Sequence, residues 1–309
     1  MGDLYEKIKK VRRFFSDKEY RVIILCNKGL YNNLSDEEFI KKRFKETLQR
    51  DLDLENPLTF NEKLQWLKLY YHNPLYTTLV DKYRVREVIK EKIGEQYLIP
   101  LLGVWEDPED IDFSSLPEKF VLKCNHNSGL GMCICKDKSH LDIPKVKKKL
   151  RAGLKQDWYL CTREWVYKNV SRRVIAEKYM EDSNGELNDY KFFCFDGKAD
   201  NVMIVAGRSK GTPLFYHYDK NWNLCQFNRL CRSLPKDYKI PKPDNINEMF
   251  EIAEYLSRGM PHVRVDLYNV DGKIYFGEYT FFNQSGLETG FDEYSDGYLG
   301  SLITLPERV

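Results

Sequence analysis

Apolar residues recur at helical spacing through the first part of the chain and give way to alternation towards the C-terminus. Ile40, Phe44 and Leu48 fall at i, i+4 and i+8 in a run full of Lys, Arg and Glu, so residues 1 to about 55 read as charged, amphipathic helix. Asn56-Pro57 breaks that pattern. Thr59-Phe-Asn-Glu62 then forms a capping box, with Thr59 as N-cap and Glu62 at the third helical position. The helix that follows carries Leu64, Leu67 and Tyr71 on one side, with Trp66 and Tyr70 beside them, and ends at Asn73-Pro74. A further helix is expected over residues 77–92, with Asp81-Lys82-Tyr83-Arg84 inside it.

Residues 94–117 are rich in loop signals around a short apolar stretch at 97–104. Residues 119–136 read as strand, glycine-containing loop and strand. Ile143-Pro144 opens a basic helix whose lysines at 145, 147, 148 and 149 read as a solvated face. Residues 173–180 read as a strand running into the polar turn 181–185. Residues 189–195 form another strand, turned by Asp196-Gly197, and residues 201–208 follow. The stretch 209–244 is irregular, aromatic and Pro-containing. Residues 245–258 form an amphipathic helix (Met249, Ile252, Ala253, Leu256), with Gly259 placed to end it.

The run HVRVDLYNVDGKIYFGEYTFFNQSG, residues 262–286, reads as two strands joined by Asn-Val-Asp-Gly. Alternation puts His262, Arg264 and Asp266 on one face. Where Glu278 points depends on the turn. A two-residue Asp-Gly turn pairs Asp266 with Gly277 and sends Glu278 to the opposite face. A three-residue loop with a left-handed Gly272 pairs Arg264 with Glu278, and one face then carries Arg264, Asp266, Glu278 and Thr280. Two carboxylates and an arginine on one face suit Mg²⁺ on a polyphosphate and a developing oxyanion. An ordinary solvated hairpin face has the same pattern.

Composition changes this picture little. The chain has 309 residues, with 21 Tyr and 17 Phe, and a formal net charge of only +2. Nothing global argues for nucleic acid. No apolar run approaches a membrane span, and the N-terminus lacks a signal peptide's apolar core and cleavage site. Gly2 lacks the serine or threonine of a myristoylation signal. Eight scattered cysteines are expected to be reduced thiols of a cytoplasmic protein. Cys124-x-His126 and Cys133-x-Cys135 have four zinc-type ligands, but structural zinc sites usually show two-residue spacers, so these read as half-buried hairpin cysteines.

Lys123 stands in an apolar strand just before Asn125-His-Asn-Ser-Gly-Leu-Gly131. Two glycines let backbone N–H groups approach phosphate oxygens, and the lysine supplies a point charge. Neither GxxxxGK[ST] nor GxGxxG is present.

The order of parts carries more than any one of them. PLTFNEKLQWLKLYY, DKYRVREVI, FVLKCNHNSG, DYKFFCFDGK and HVRVDLYNVDGKIYFGEYTF, in that order between Pro57 and Pro306, resemble the TupA-like branch of the ATP-grasp superfamily, named for teichuronopeptide biosynthesis. The resemblance implies an α+β fold: two α+β subdomains with antiparallel sheets clasping ATP, after a helical N-terminal region. The expected divisions are 1–76, 77–176 and 177–309.

By the same resemblance Lys82 and Lys123 contact ATP phosphates, and the loop from His126 through Asn127, Ser128 and Gly129 to Gly131 closes over them. Glu177, Lys178, Tyr179 and Met180 form the connecting strand that reads the adenine edge, and Glu181 or Asp182 takes the ribose hydroxyls. Asp266 and Glu278 hold Mg²⁺, Arg264 stabilises the acyl phosphate and the tetrahedral intermediate, and Lys191 and Arg208 are further phosphate or substrate contacts. The metal pair departs from the common Glu-x-Asn: here it is Glu278-Tyr-Thr280, with Asn283 able to reach in.

The implied activity is an ATP- and Mg²⁺-dependent carboxylate–amine ligase acting through an acyl phosphate. Its implied substrates are a small-molecule or saccharide carboxylate, such as a uronic acid of a bacterial surface polysaccharide, and an amine or amino acid. The competing reading is a glycosyltransferase using a nucleotide-sugar. Asp51-Leu-Asp53 and Asp110-Ile-Asp112 have the spacing of a diphosphate-metal pair, but neither follows a clear strand. The aromatic stretch 216–227 could stack on a sugar ring or simply pack. The basic residues 7–13 suit a solvated helix end or a peripheral contact with an anionic membrane.

Overall fold

The computed structural model describes residues 2–185, 187–207 and 213–308; Arg208 lies outside them. Three helices come first: α1 (Gly2–Ser16), α2 (Lys18–Asn27) and α3 (Asp36–Leu48), the last held by a Ser35–Glu38 capping box. In α3, Ile40 and Phe44 are buried, as their spacing requires. Helix α4 (Phe60–Tyr70) starts at the Thr59–Glu62 capping box read from the sequence.

The helix expected over 77–92 is broken. It divides into α5 (Leu75–Val80) and α6 (Val85–Lys92) around a turn at Asp81. The Asp81 carboxylate accepts from the backbone N–H groups of Tyr83 and Arg84 and from Asn125 Nδ2. Local capping by an aspartate competes with helix continuation. Lys82 therefore sits in a turn, not on a helix.

The strands form two antiparallel sheets. β1 (Leu101–Trp105), β2 (Phe120–Cys124), β3 (Cys133–Cys135) and β4 (Val174–Lys178) make the first, in the order β1-β4-β2-β3. Helices α7 (Ile143–Lys155) and α8 (Trp158–Thr162) lie between β3 and β4 in sequence. Phe120, Leu122, Val174 and Ala176 point into one core with Val146 and Leu150 of α7. β4 belongs wholly to this sheet, so a division between residues 176 and 177 cuts through a strand, and the chain passes to the second sheet at residues 179–187.

β5 (Asn188–Phe195), β6 (Lys198–Ala206), β7 (Leu214–Asp219), β8 (His262–Val270) and β9 (Lys273–Thr280) make the second sheet, ordered β7-β6-β5-β8-β9. The stretch read as irregular, 209–244, thus contains a strand, and also the short helix α9 (Arg229–Ser233). Its aromatics pack: Tyr218 stacks on Trp222 at 4.9 Å. Helix α10 (Ile246–Leu256) covers one face of this sheet, where Phe250 meets Phe192 edge-on and Leu256 O accepts from Tyr279. Helix α11 (Glu293–Ser301) packs against α4, with its Asp296 accepting from Asn61. No helix of the described residues is long and apolar enough to cross a membrane.

Candidate active site

The face of the second sheet away from α10 carries the charges. Along β8, Val263, Val265 and Leu267 are buried in the core, so Arg264 and Asp266 point the other way. Lys191 of β5 stands directly opposite Asp266, and Glu278 of β9 stands opposite it on the other side.

The β8–β9 register follows neither simple turn. Val270 pairs with Lys273 around Asp271 (φ 49°) and Gly272 (φ 84°), a two-residue turn with both φ positive. That turn alone would pair Asp266 with Gly277. Instead Leu267 pairs with Phe276 and Asp266 with Glu278, and Gly277 is left over as a bulge. The bulge restores the phase: Phe276 and Tyr279 both face α10, while Glu278 and Thr280 join Arg264 and Asp266. The grouping expected from a three-residue loop is therefore present, by a different route. A Cβ at Gly277 would sit 3.0 Å from Asp266 O and 3.1 Å from the Tyr268 ring.

Arg264 is the hub. Nε donates to Asp266 Oδ1 at 2.7 Å and Nη2 to Asp266 Oδ2 at 2.9 Å, a bidentate pair. Nη2 also donates to Thr280 Oγ1 at 3.0 Å, and Nη1 to Asn283 Oδ1 at 2.5 Å. Burial works against the Arg264 guanidinium, but Asp266, with Glu278 and Asp189, outweighs it and drives the pKa up. Lys191 donates to Asp266 and pairs with Asp189 at 2.8 Å. Asp189 was not singled out in the sequence; its alternation with Lys191 on β5 would have put it on this face. Burial alone would raise the pKa of Glu278. The positive charges of Lys82, Lys191, Arg264 and Lys123 reverse that and hold its pKa at about 2.

The first sheet supplies the opposing wall. Lys123 and Glu177 are diagonal neighbours on the β2–β4 pair, and Lys123 Nζ lies 2.6 Å from Glu177 Oε2. Arg86 of α6 approaches the other oxygen at 3.8 Å; nothing in DKYRVREVI by itself points to it. Lys82 Nζ bridges the two walls, donating to Asn127 O at 3.0 Å and lying 3.3 Å from Glu278 Oε2.

The glycine loop differs from its expected form. His126 is buried, its Nε2 within hydrogen-bond distance of Gln156 O, and burial drops its pKa to about 4, so the ring is neutral. Asn127 Nδ2 donates to Gly153 O and Gln156 Oε1. Both side chains are tied to the end of α7, which leaves the backbone of the loop as the part that can meet phosphates. Only from Ser128 onward does the loop stand out: Ser128 and Gly129 are exposed, and Gly129 has φ +82°. Beyond it the loop returns to α7, where a Cβ on Gly153 would sit 2.7 Å from Gly131 Cα.

In the connection between sheets, the Lys178 N–H is already committed to Pro100 O, Tyr179 lies beside Lys119 and Lys136, and Met180 is buried. Asp182 Oδ1 accepts from Asn184 N within the turn. The zinc-type cysteines hold no cluster: Cys124 Sγ turns to Leu150 O and Cys135 Sγ to Glu118 O, and no metal-binding group of three or more His, Cys, Asp or Glu occurs among the described residues. The two Asp-x-Asp pairs are loop structure, with Asp53 and Asp112 accepting from backbone N–H groups just downstream.

The chemistry of the donor set fits Mg²⁺. Mg²⁺ takes one or two carboxylates and completes its shell with phosphate oxygens and water. Asp266 and Glu278, opposite each other with Thr280 and Asn283 alongside, are such a set, and a closed all-protein cage is not needed.

Two antiparallel sheets, facing each other with lysines on one wall and a carboxylate–arginine cluster on the other, define an ATP-grasp enzyme. The profile of the TupA-like ATPgrasp family matches residues 62–304, and the chain belongs to that family. It is an ATP-dependent ligase, with ATP and Mg²⁺ as its cofactors. The fold is similar to D-alanine–D-alanine ligase from Bacillus anthracis complexed with ATP (18% identity, TM-score 0.43, covering 86% of this chain and 82% of that one). It is also similar to D-alanine–D-alanine ligase from Helicobacter pylori (13%, 0.41, 79% and 69%) and to the ATP-grasp ligase PsnB complexed with minimal precursor (12%, 0.42, 78% and 66%). A search of curated proteins finds no match.

Proposed function

We propose that this ligase joins the carboxylate of a uronic acid in a bacterial surface polysaccharide to an amine, through an acyl phosphate. The observation that carries the ligase chemistry is the placing of Glu278 opposite Asp266 with Arg264 between their side chains. The substrate carboxylate oxygen attacks the γ-phosphorus of ATP, and the bridging oxygen leaves with ADP. The amine nitrogen then attacks the acyl carbon, the bond to phosphate breaks, phosphate departs and the nitrogen gives up a proton.

Negative charge builds on oxygen in both steps. Arg264, fixed by Asp266 and Asn283, offers donors there without reorganising. Lys82 and Lys123 line the path of the phosphates, and Lys191 holds the Asp266 carboxylate in place. Mg²⁺ on Asp266 and Glu278 would neutralise the phosphate oxygens when bound. Tyr179 and Met180 lie where the chain crosses between the sheets and would border the adenine, with Asp182 near the ribose. The exposed Ile8, Val11 and Phe15 of α1, among basic residues, suit a peripheral contact with an anionic membrane.

The test is to incubate the chain with Mg·ATP, hydroxylamine and either glucuronate, UDP-glucuronate or a glucuronate-containing oligosaccharide. Hydroxamate formed with stoichiometric ADP is expected for one of them. Consumption of a UDP-sugar without ADP formation would instead establish glycosyl transfer.

A further inference from the structure

Helix α4 enters the core through Phe60, Leu64 and Leu67, yet three of its polar side chains are buried as deeply. Asn61, Gln65 and Lys68 fall at i, i+4 and i+7, one stripe of the helix, and only 1%, 1% and 3% of their surfaces are exposed. Burying amides and an ammonium is costly unless each is hydrogen-bonded. All three reach one short segment, residues 285–288. Lys68 Nζ donates to Ser285 O at 2.7 Å, and Gln65 Nε2 donates to Ser285 O at 2.9 Å and to Gly286 O at 2.7 Å. Asn61 Nδ2 donates to Glu288 O at 3.1 Å, and its Oδ1 accepts from Glu288 N at 2.7 Å. Ser285 is held a further way, its Oγ donating to Glu164.

The segment so gripped has a backbone that resists its own shape. Gln284, Ser285 and Gly286 have φ of 47°, 55° and 69°, three left-handed residues in succession, two of them not glycine. L-residues take that conformation singly and at a cost, and it persists where the surroundings over-determine it. Gly286 is required on a second count. A Cβ there would sit 2.5 Å from Gln65 Nε2 and 3.2 Å from Leu64 Cβ, so a bare backbone is what lets the turn come down on α4.

The turn begins at Asn283, and Asn283 belongs to the reaction centre. Its Oδ1 accepts from Arg264 Nη1, and its Nδ2 donates to Glu288 Oε2 at 3.2 Å. The polar stripe of α4 thus grips both the turn that carries Asn283 and the residue on which Asn283 leans.

We propose that Asn61, Gln65 and Lys68 are positioning residues of the ligase: they hold the left-handed turn, the turn sets Asn283, and Asn283 fixes the Arg264 guanidinium where charge builds. The assignment rests on the reading of Arg264 above. Donors fixed in advance stabilise a transition state because nothing reorganises at the moment of reaction, and that fixity comes from the groups behind them. Nucleotide binding in the ground state makes no such demand on Arg264.

The test uses the full chain with Mg·ADP and aluminium fluoride, a mimic of the phosphoryl group in transfer. Calorimetry gives the Kd for Mg·ADP with and without the fluoride, and aluminium fluoride is expected to tighten Mg·ADP on the wild type. Gln65→Met should lose about tenfold or more of that tightening, the worth of one displaced charge-assisted hydrogen bond, with the Kd for Mg·ADP alone changed by no more than about twofold. Asn283→Ala should lose the tightening as well. Gln65→Met placed on Asn283→Ala should then add no more than about a further twofold, because both act through one bond. A disturbance spread through the core would multiply instead. Should Gln65→Met fail to fold, Lys68→Met carries the same expectation. The proposal is overturned if the folded variant keeps the full tightening, if its loss multiplies on Asn283→Ala, or if Mg·ADP alone weakens in step. No tightening in the wild type would overturn the reading of Arg264 itself, and the positioning role with it.

Discussion

Glu278 faces Asp266 across the β8–β9 pair because Gly277 is left out of the ladder. One unpaired residue decides whether the second carboxylate joins the cleft or the α10 side of the sheet. Were Gly277 taken into the ladder opposite Asp266, every side chain from Glu278 to Thr280 would change face.

Gly277→Val crowds the bulge, since a Cβ there would sit 3.0 Å from Asp266 O, and is accordingly expected to reduce ADP formation by roughly a hundredfold or more, the scale of loss when reacting groups are displaced. A coupled ADP assay with circular dichroism on the same sample checks this. Wild-type turnover in Gly277→Val would show that the bulge does not place Glu278 for catalysis.

Arg264→Lys keeps the charge and loses the planar fork that grips Asp266 while reaching Thr280 and Asn283. Its kcat should fall by about 10²–10³, with the Kd for Mg·ADP nearly unchanged. Single-turnover kinetics beside a nucleotide titration separates the two. A defect confined to nucleotide affinity would move Arg264 out of the transition state.

Lys123→Met removes the cation that stands 2.6 Å from Glu177 at the phosphate wall. A charge-assisted hydrogen bond to phosphate contributes about 1.5–3 kcal/mol, so the Kd for Mg·ATP should rise tenfold or more. Calorimetry reads this directly, and an unchanged Kd would leave Lys123 as a partner of Glu177 alone.

Acid should act in two windows. His126, His217 and His262 are buried, and burial lowers their pKa values to about 4, 3 and 3. The unfolded chain takes up these protons from about pH 6.5 downward while the folded one does not. Stability present above pH 6.5 is thus lost as pH falls towards 4. Glu278, with its pKa depressed from 4.5 to about 2, adds stability above pH 4.5 that disappears only between 4.5 and 2. Tm against pH should already fall between 6.5 and 4.5, and His262→Gln should flatten that limb. A level Tm in that window would contradict the buried neutral histidines.

Much of this was legible from local pattern. Thr59 and Glu62 cap α4 where their spacing said, because a capping box is settled within four residues. Alternation put Arg264 with Asp266, and Lys123 just before the glycine loop. The bulge left a trace too: apolar positions run 274, 276, then 279, 281, a phase shift with a glycine at the break. The break at Asp81 was missed because the aspartate's partners include Asn125, which is remote in sequence.

The sequence by itself determined the element types, the caps and which residues share a strand face, since these depend on neighbours a few positions apart. The tertiary structure alone decided that Glu278 faces Asp266, that His126 turns inward to Gln156, and that Lys68 and Glu164 meet at Ser285. Each joins residues far apart in the chain, through a register or a packing contact that exists only when the sheets and helices are assembled.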